Sequence, residues 1–268
     1  MLWTGLWTSD IMNFYVMTLF PEMIMHGVGE SITGRAIKKG AINVKAVNIR
    51  DYTTEKHGKT DDYPFGGGAG MVMQVQPIDD CYTAVLEMIG DTAKKPKVLY
   101  MSPQGRRFDQ KMAEELALEE NIIFLCGHYE GVDERALEIM EAEEVSLGDF
   151  VLTGGEYPAM VMIDCISRLI PGVLGKKASA EIESFHDNLL EYPQYSRPED
   201  YKGMKVPEIL LSGHHANVEK WRREQSIIRT LKKRPDLIAD AVLNKKEQKF
   251  LNELIKAENK SGNESEQE

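Results

Sequence analysis

The chain has 268 residues, 42% of them hydrophobic and 28% charged, which is the composition of a soluble globular protein with one large core or a main domain plus a smaller one. No apolar run approaches the ~18 residues a membrane span requires, so a membrane partner is not expected. The formal charge of −11 argues against a general nucleic-acid-binding surface, although net charge conceals distribution.

Residues 1–11 (MLWTGLWTSDI) lack the basic start of a signal peptide and show no pattern, and Met12 reads as the natural beginning. MNFYVMTLF from Met12 has the β-branched and aromatic content of a first strand. The glycine-rich DDYPFGGGAGMVMQVQP (61–77) is followed by no Lys-Ser/Thr pair and does not match G-x-G-x-x-G, so it is neither a Walker loop nor a dinucleotide fingerprint. Its glycines suit close backbone approach to a ligand. The flanking Asp61 and Asp62 would repel phosphate and favour a base or a cation.

KVLYMS (97–102) predicts a strand stopped by PQGRR. DQKMAEELALEE predicts a helix capped by Asp109, and IIFLCG (122–127) a second buried strand. Strand, helix, strand at this spacing is a βαβ unit of a parallel sheet. DFVLTG (149–154) predicts a further strand. It turns at Gly154–Gly155 into a helix with Pro158 in its first turn and Ala159, Ile163, Ile166 and Ile170 on one face. Three glycine-punctuated loops, 100–105, 126–135 and 146–158, then fall at strand ends, where open α/β sheets bind ligands. With Tyr100, Tyr129 and Phe150 nearby they fit a pocket for a flat heterocycle.

Beyond Gly172 the chain turns polar and rich in breakers. The expected organisation is an extension (1–11), a main domain (12–174), a linker (175–187), a helical domain (188–257) and a disordered tail (258–268). Asn217–Pro235 holds seven Lys/Arg against two Glu. Arg222, Arg229 and Lys233 fall near one line of a helix there, a geometry suited to RNA phosphates. Cys81, Cys126 and Cys165 are scattered in apolar runs, as in a reducing cytoplasm, and no metal site is identifiable from spacing.

Taken in order, LFPEM, TGRA, DDYPFGGGAGM, SPQGRR, CGHYEGVDER, SLGDFVLTGGE, DCISRLIPGVLG and LSGHHANVEKWR resemble the bacterial tRNA (guanine-N1)-methyltransferases that act on the guanosine at tRNA position 37. The resemblance, from about Met12 to about Leu251, implies a SPOUT-type α/β fold with a trefoil knot, a small all-helical C-terminal domain and a homodimer. It further implies tRNA, not DNA, as partner, S-adenosylmethionine as cofactor and Mg2+ as a further requirement. The implied cofactor contacts are Tyr100, Ser102, Pro103, Gly127, Tyr129, Glu130, Leu147, Gly148, Asp149, Phe150, Val151, Leu152, Gly154, Gly155 and Pro158. The expected RNA contacts are Asp61 and, from their line on the basic helix, Arg222, Arg229 and Lys233.

Guanine N1 carries a proton at neutral pH, so its methylation needs a base, and charge accumulates on O6. The resemblance implies Arg168 as the group that meets that charge. By spacing, Arg168 points away from the Ile163/Ile166 face and can pair with Asp164 or serve an interface. The family's catalytic Asp precedes a Ser-Phe pair, where this chain has Glu183, and Glu181 and Asp187 are the neighbouring acids. Glu183 is the expected base, one methylene longer than the family's Asp.

Overall fold

A computed structural model describes residues 11–174, 183–185 and 187–265. The chain divides into two compact units, Met1–Gly175 and Lys176–Glu268. The first unit begins with β1 (Met12–Thr18), α1 (Pro21–Val28), α2 (Ser31–Lys38) and β2 (Ile42–Asn48). The two-residue strands β3 (Asp61–Asp62) and β4 (Val72–Met73) pair antiparallel and are followed by α3 (Val75–Ile89). Then come β5 (Lys97–Arg107), α4 (Gln110–Leu116), β6 (Asn121–Leu125), α5 (Glu134–Met140), β7 (Glu143–Ser146) and α6 (Glu156–Ser167).

Five strands form one sheet in the order β2-β1-β6-β5-β7, parallel throughout. Its central strands β1 and β6 carry unbroken apolar runs, Phe14–Met17 and Ile122–Leu125, because both faces are covered. Phe14, Val16, Ile122 and Phe124 face one core with α1, α2, α4 and α6, while Tyr15, Met17, Ile123 and Leu125 face the other with α3 and α5. Asp109 caps α4 as its sequence predicts, accepting a hydrogen bond from the Met112 amide at 2.8 Å.

Two expectations are corrected. β5 does not stop at Ser102 but continues to Arg107, with a register shift that sets both Met101 and Arg106 opposite Val145. Gly105 permits this, since a Cβ there would lie 2.2 Å from the Glu144 carbonyl carbon. Residues 149–154 form no strand. The ladder ends at Ser146, and Gly148, at φ +150°, opens a loop whose Phe150, Val151 and Leu152 are exposed.

The second unit contains the antiparallel pair β8 (Asp200–Tyr201) and β9 (Met204–Lys205), then α7 (Glu208–Leu211), α8 (His215–Lys233) and α9 (Lys245–Ser265). It is therefore mainly rather than wholly helical, and α9 runs past Ala257, where the sequence reading ended the helical domain. Its core is Leu189, Ile227 and Leu251, with Leu231, Ile238 and Leu254 packed around them. Of the expected linker, residues 175–182 and 186, among them Glu181, lie outside the described residues.

Candidate functional site

Two of the three glycine-punctuated segments are loops, 126–133 beyond the carboxyl end of β6 and 147–155 beyond that of β7, whereas the third, 100–105, lies within β5 and is not a loop. Tyr100, at the inner part of β5, covers the β6 loop: a Cβ on Gly127 would lie 2.9 Å from its ring. Burial, with smaller contributions from Glu144 and Glu134, pushes the Tyr100 hydroxyl above its ordinary pKa. Ser102 is buried, and its hydroxyl accepts from the Gln104 amide at 3.2 Å. Pro103 is exposed.

The β6 loop and the turn into α6 are joined directly. The Gly155 amide donates to the Gly127 carbonyl at 3.1 Å. A Cβ on Gly155 would stand 2.6 Å from the Cys126 Cα, so the backbones touch. Pro158 is buried in the first turn of α6. Tyr129 takes the left-handed conformation at φ 58° and is half exposed. Glu130 folds over Gly70, where a Cβ would sit 2.4 Å from its side chain, and the Glu130 amide donates to the Met71 carbonyl at 2.9 Å. The glycine-rich segment read as a close-approach loop thus lies against a predicted cofactor residue of this unit.

In the loop after β7, the Ser146 hydroxyl donates to the Gly148 carbonyl and accepts from the Gly148 amide, both at 3.1 Å. Leu147 is half-buried, and Asp149 makes a 3.5 Å, largely solvated pair with Arg107. Val151 is 84% exposed, with Phe150 and Leu152 also open to solvent. Tyr129, Phe150, Val151 and Leu152 are thus apolar side chains left exposed on the loops at the strand ends.

Beneath this surface lies a polar cluster that the sequence reading missed. Glu156, only 2% exposed, receives the Thr18 hydroxyl at 2.5 Å and faces His128 Nε2 at 2.8 and 2.9 Å. Thr18 also accepts from the Phe20 amide at 2.9 Å. The cluster ties the ends of β1 and β6 to the start of α6. A Cβ on Gly154 would stand 2.4 Å from His128 Cε1, so the turn closes on the imidazole. The spacing that marks Ala159, Ile163 and Ile166 as buried extends back to Glu156. An acid on an apolar helix face was the available signal.

Arg168 caps the C-terminal end of α6 and is half-buried, with its amide donating to the Asp164 carbonyl at 3.2 Å. Asp61 pairs with Met73 in the β3–β4 ladder, beside the exposed Asp62–Lys59 ion pair at 3.1 Å. The Tyr63 amide, followed by Lys59, holds the Asp62 carboxyl below its ordinary range.

The remaining predicted residues belong to the second unit. Glu183 is half-buried. Next to it, the Ser184 hydroxyl accepts from the Glu191 amide at 3.0 Å, and the Phe185 amide donates to the Leu189 carbonyl at 2.8 Å. Asp187 is committed to Arg223 at 2.9 Å. Arg222, Arg229 and Lys233 all lie on α8, where Arg222 pairs with Glu219 at 2.7 Å and lies 4.9 Å from the centre of the Tyr192 ring. Arg223, which the sequence reading did not single out, joins Asp187, Glu247 at 3.0 Å and the Val242 carbonyl at 2.7 Å.

Residues 12–240 match the family described as tRNA (Guanine-1)-methyltransferase TrmD. The chain belongs to this family. It is 64% identical over 231 residues to a tRNA (guanine-N(1)-)-methyltransferase of Lachnospira eligens, covering 86% of this chain and 97% of the relative. A protein of the same name from Ruminiclostridium cellulolyticum is 62% identical over 226 residues, 84% of this chain and 96% of the relative. One from Bacillus cereus strain G9842 is 53% identical over 243 residues, 91% of this chain and 98% of the relative. The family match takes in the three glycine-punctuated segments, the glycine-rich segment, Arg168, Glu183 and all of α8.

Proposed function

We propose that this chain is a cytoplasmic, homodimeric enzyme that transfers a methyl group from S-adenosylmethionine to N1 of the guanosine at position 37 of tRNA. The observation that carries the reading is the family match across residues 12–240, which spans both the loop cluster and the basic helix. When bound, S-adenosylmethionine supplies an electrophilic methyl carbon on a sulfonium.

The loops suit that cofactor. Exposed Tyr129, Phe150, Val151 and Leu152 offer apolar surface to a flat adenine, and Gly127, Gly154 and Gly155, packed without a Cβ against Tyr100, His128 and the Cys126 backbone, would leave peptide groups to read its edges. Glu130 is the exposed acid beside them and would face the cationic end. Ser102, Pro103, Leu147, Gly148, Asp149 and Pro158 complete the wall. Among the described residues no three His, Cys, Asp or Glu side chains gather to hold a metal ion. The expected Mg2+ therefore has no cluster here to fit it, and no step is derived through it.

In the reaction, the Glu183 carboxylate takes the proton from guanine N1 and Arg168 meets the negative charge developing on O6. Loss of that proton to Glu183 would leave the N1 lone pair free to accept the methyl group, with the neutral thioether of the cofactor as leaving group. Base assistance contributes roughly 10²–10⁴-fold and a charge-stabilising donor roughly 10²–10³-fold. Asp61 and the α8 cations Arg222, Arg229 and Lys233 would hold the tRNA.

The geometry of α6 supports a site shared between two copies. The cofactor loops lead into the N-terminal end of this 12-residue helix and Arg168 closes its other end, a separation of about 18 Å along the axis. That exceeds the reach of one arginine side chain, so Arg168 would serve the neighbouring copy's guanine. Tyr157 and Val161, both more than half exposed, share the outer face of α6 with Arg168 and provide apolar surface for such an interface.

Incubation with unmodified tRNA transcript and labelled S-adenosylmethionine, followed by nuclease mapping, tests the activity. A methyl group anywhere other than N1 of guanosine 37 overturns it. Mixed dimers test the shared site. An Arg168→Ala chain paired with one blocked at the cofactor loop by Gly155→Val should recover one complete site, about half of the parent dimer's turnover. No recovery in dimers shown to be mixed would rule the sharing out.

A further inference from the structure

The second unit carries a groove of about 430 Å³ in which Arg222 is the one lining residue given a role above. Its lining includes Tyr192, Tyr195, Arg197, Leu210, Leu211 and Arg222. Tyr195 is 48% exposed and Leu211 51% exposed, so apolar surface opens directly to solvent. Tyr195 leans towards Trp221 with ring centroids 6.5 Å apart, and Arg222 covers the Tyr192 ring. The Arg222 Nε is shut off from solvent and has no hydrogen-bond partner among the described residues, although the Nη1 of the same guanidinium is held by Glu219.

We infer that this groove receives one unstacked nucleobase of the tRNA, apart from the guanine being methylated. The chemistry points to a base rather than a phosphate. A phosphate site gathers donors around a charged ligand, whereas here the tyrosines and leucines share the wall with the carboxylate of Glu199, which would repel a phosphate, and the Arg222 charge is already answered by Glu219. Aromatic faces next to a guanidinium plane are the usual platform for a splayed base, which stacks without demanding a particular sequence. The volume lies within the range of small-ligand pockets. Charge complementarity favours RNA over an apolar peptide. Arg197 stands at the groove, and α8, which provides Arg222 to it, also carries Arg229, Lys232 and Lys233.

The inference rests on tRNA being the substrate, and the experiment separates the two claims. In full-length protein carrying Trp3→Phe and Trp7→Phe, Trp221 is the sole tryptophan and reports on the groove. Titration with unmodified tRNA should quench its emission. Tyr195→Ala should weaken tRNA binding about tenfold or more, and Tyr195→Phe should stay within about twofold of the parent. The slope of log affinity against log salt should stay the same in Tyr195→Ala, because no phosphate contact is lost. A changed slope would mean that the groove tracks the backbone, and the base assignment would fail. It would also fail if tRNA bound with unchanged Trp221 emission and Tyr195→Ala bound as the parent does. A parent protein that neither binds nor methylates tRNA would instead overturn the substrate reading.

Discussion

The two units of this chain are stabilised in different ways. In the first, a parallel sheet is buried on both faces, and Phe14, Met17, Ile24, Phe124 and Ile163 are fully enclosed. Such a core contributes through removal of apolar area from water, at about 25 cal/mol per Å². In the second, the buried apolar cluster among the described residues is Leu189, Ile227 and Leu251, and polar ties take over much of the work. Thr230 donates to the Ser226 carbonyl at 2.7 Å and accepts from the Leu190 amide at 2.8 Å, while Arg223 gathers three separate segments. The first unit thus holds its loops on a rigid platform. The second has the few apolar contacts and exposed polar links of a region that opens locally at low cost.

The largest expected effect tests whether chemistry depends on residues of both units. Glu183→Gln, with the cofactor still bound, should lower kcat by about 10² or more in a single-turnover methyl-transfer assay, and Arg168→Ala should do the same. If Glu183→Gln turns over within threefold of the parent, Glu183 is not the base.

Next in size is the cluster under the loops. Glu156→Gln leaves His128 and Thr18 around a neutral amide that accepts less well, and should cost the first unit about 2–4 kcal/mol. The loss would appear as a lower Tm together with weaker S-adenosylmethionine binding. An unchanged Tm would refute the importance given to this cluster.

A smaller loss is expected from Arg223→Met in the second unit. Its partners are partly solvated, which reduces the value of the ion pairs, so about 1–2 kcal/mol is expected from the hydrogen bonds. Hydrogen exchange should quicken around Leu189 and Val242 while the sheet stays protected. Acceleration in β1 or β6 instead would contradict the division between the units.

The smallest effect concerns Asp133, which caps α5 at the Arg135 amide and is held below its ordinary pKa first by the Arg135 side chain. A lowered carboxylate contributes stability above the ordinary Asp range and loses it as pH falls through the lowered value. Asp133→Ala should cost about 1 kcal/mol at neutral pH. The gap in Tm from the parent should close in acid below the ordinary Asp range, and a gap independent of pH would exclude the carboxylate as its source.

Much of this contrast was legible in the residues. β1, β6 and α4 follow from local pattern, since unbroken apolar runs and an Asp cap have few other uses. The loops after β6 and β7 followed from glycine placed after apolar runs, whereas 100–105, expected as a third, lies within β5. The reading failed where pairing decides. FVL at 150–152 has β-forming residues, yet no neighbouring strand takes it up, and PQGRR reads as a breaker although Gly105 lets it lie against β7. Arg223 and Arg222 are adjacent on one basic helix, and no composition or spacing separates an internal tie from a groove residue.

The sequence by itself determined the family, the two-unit organisation in outline and the residue types offered to the chemistry, because long ordered motifs and periodic apolar patterns are properties of the chain. Only the tertiary structure decided that Glu156 is buried against His128 and Thr18. The same holds for the apolar loop after β7, left open at the strand ends. Each of these depends on which distant segments meet. A buried carboxylate or an exposed valine is defined by its neighbours, and neighbours far apart in sequence are fixed only when the sheet assembles.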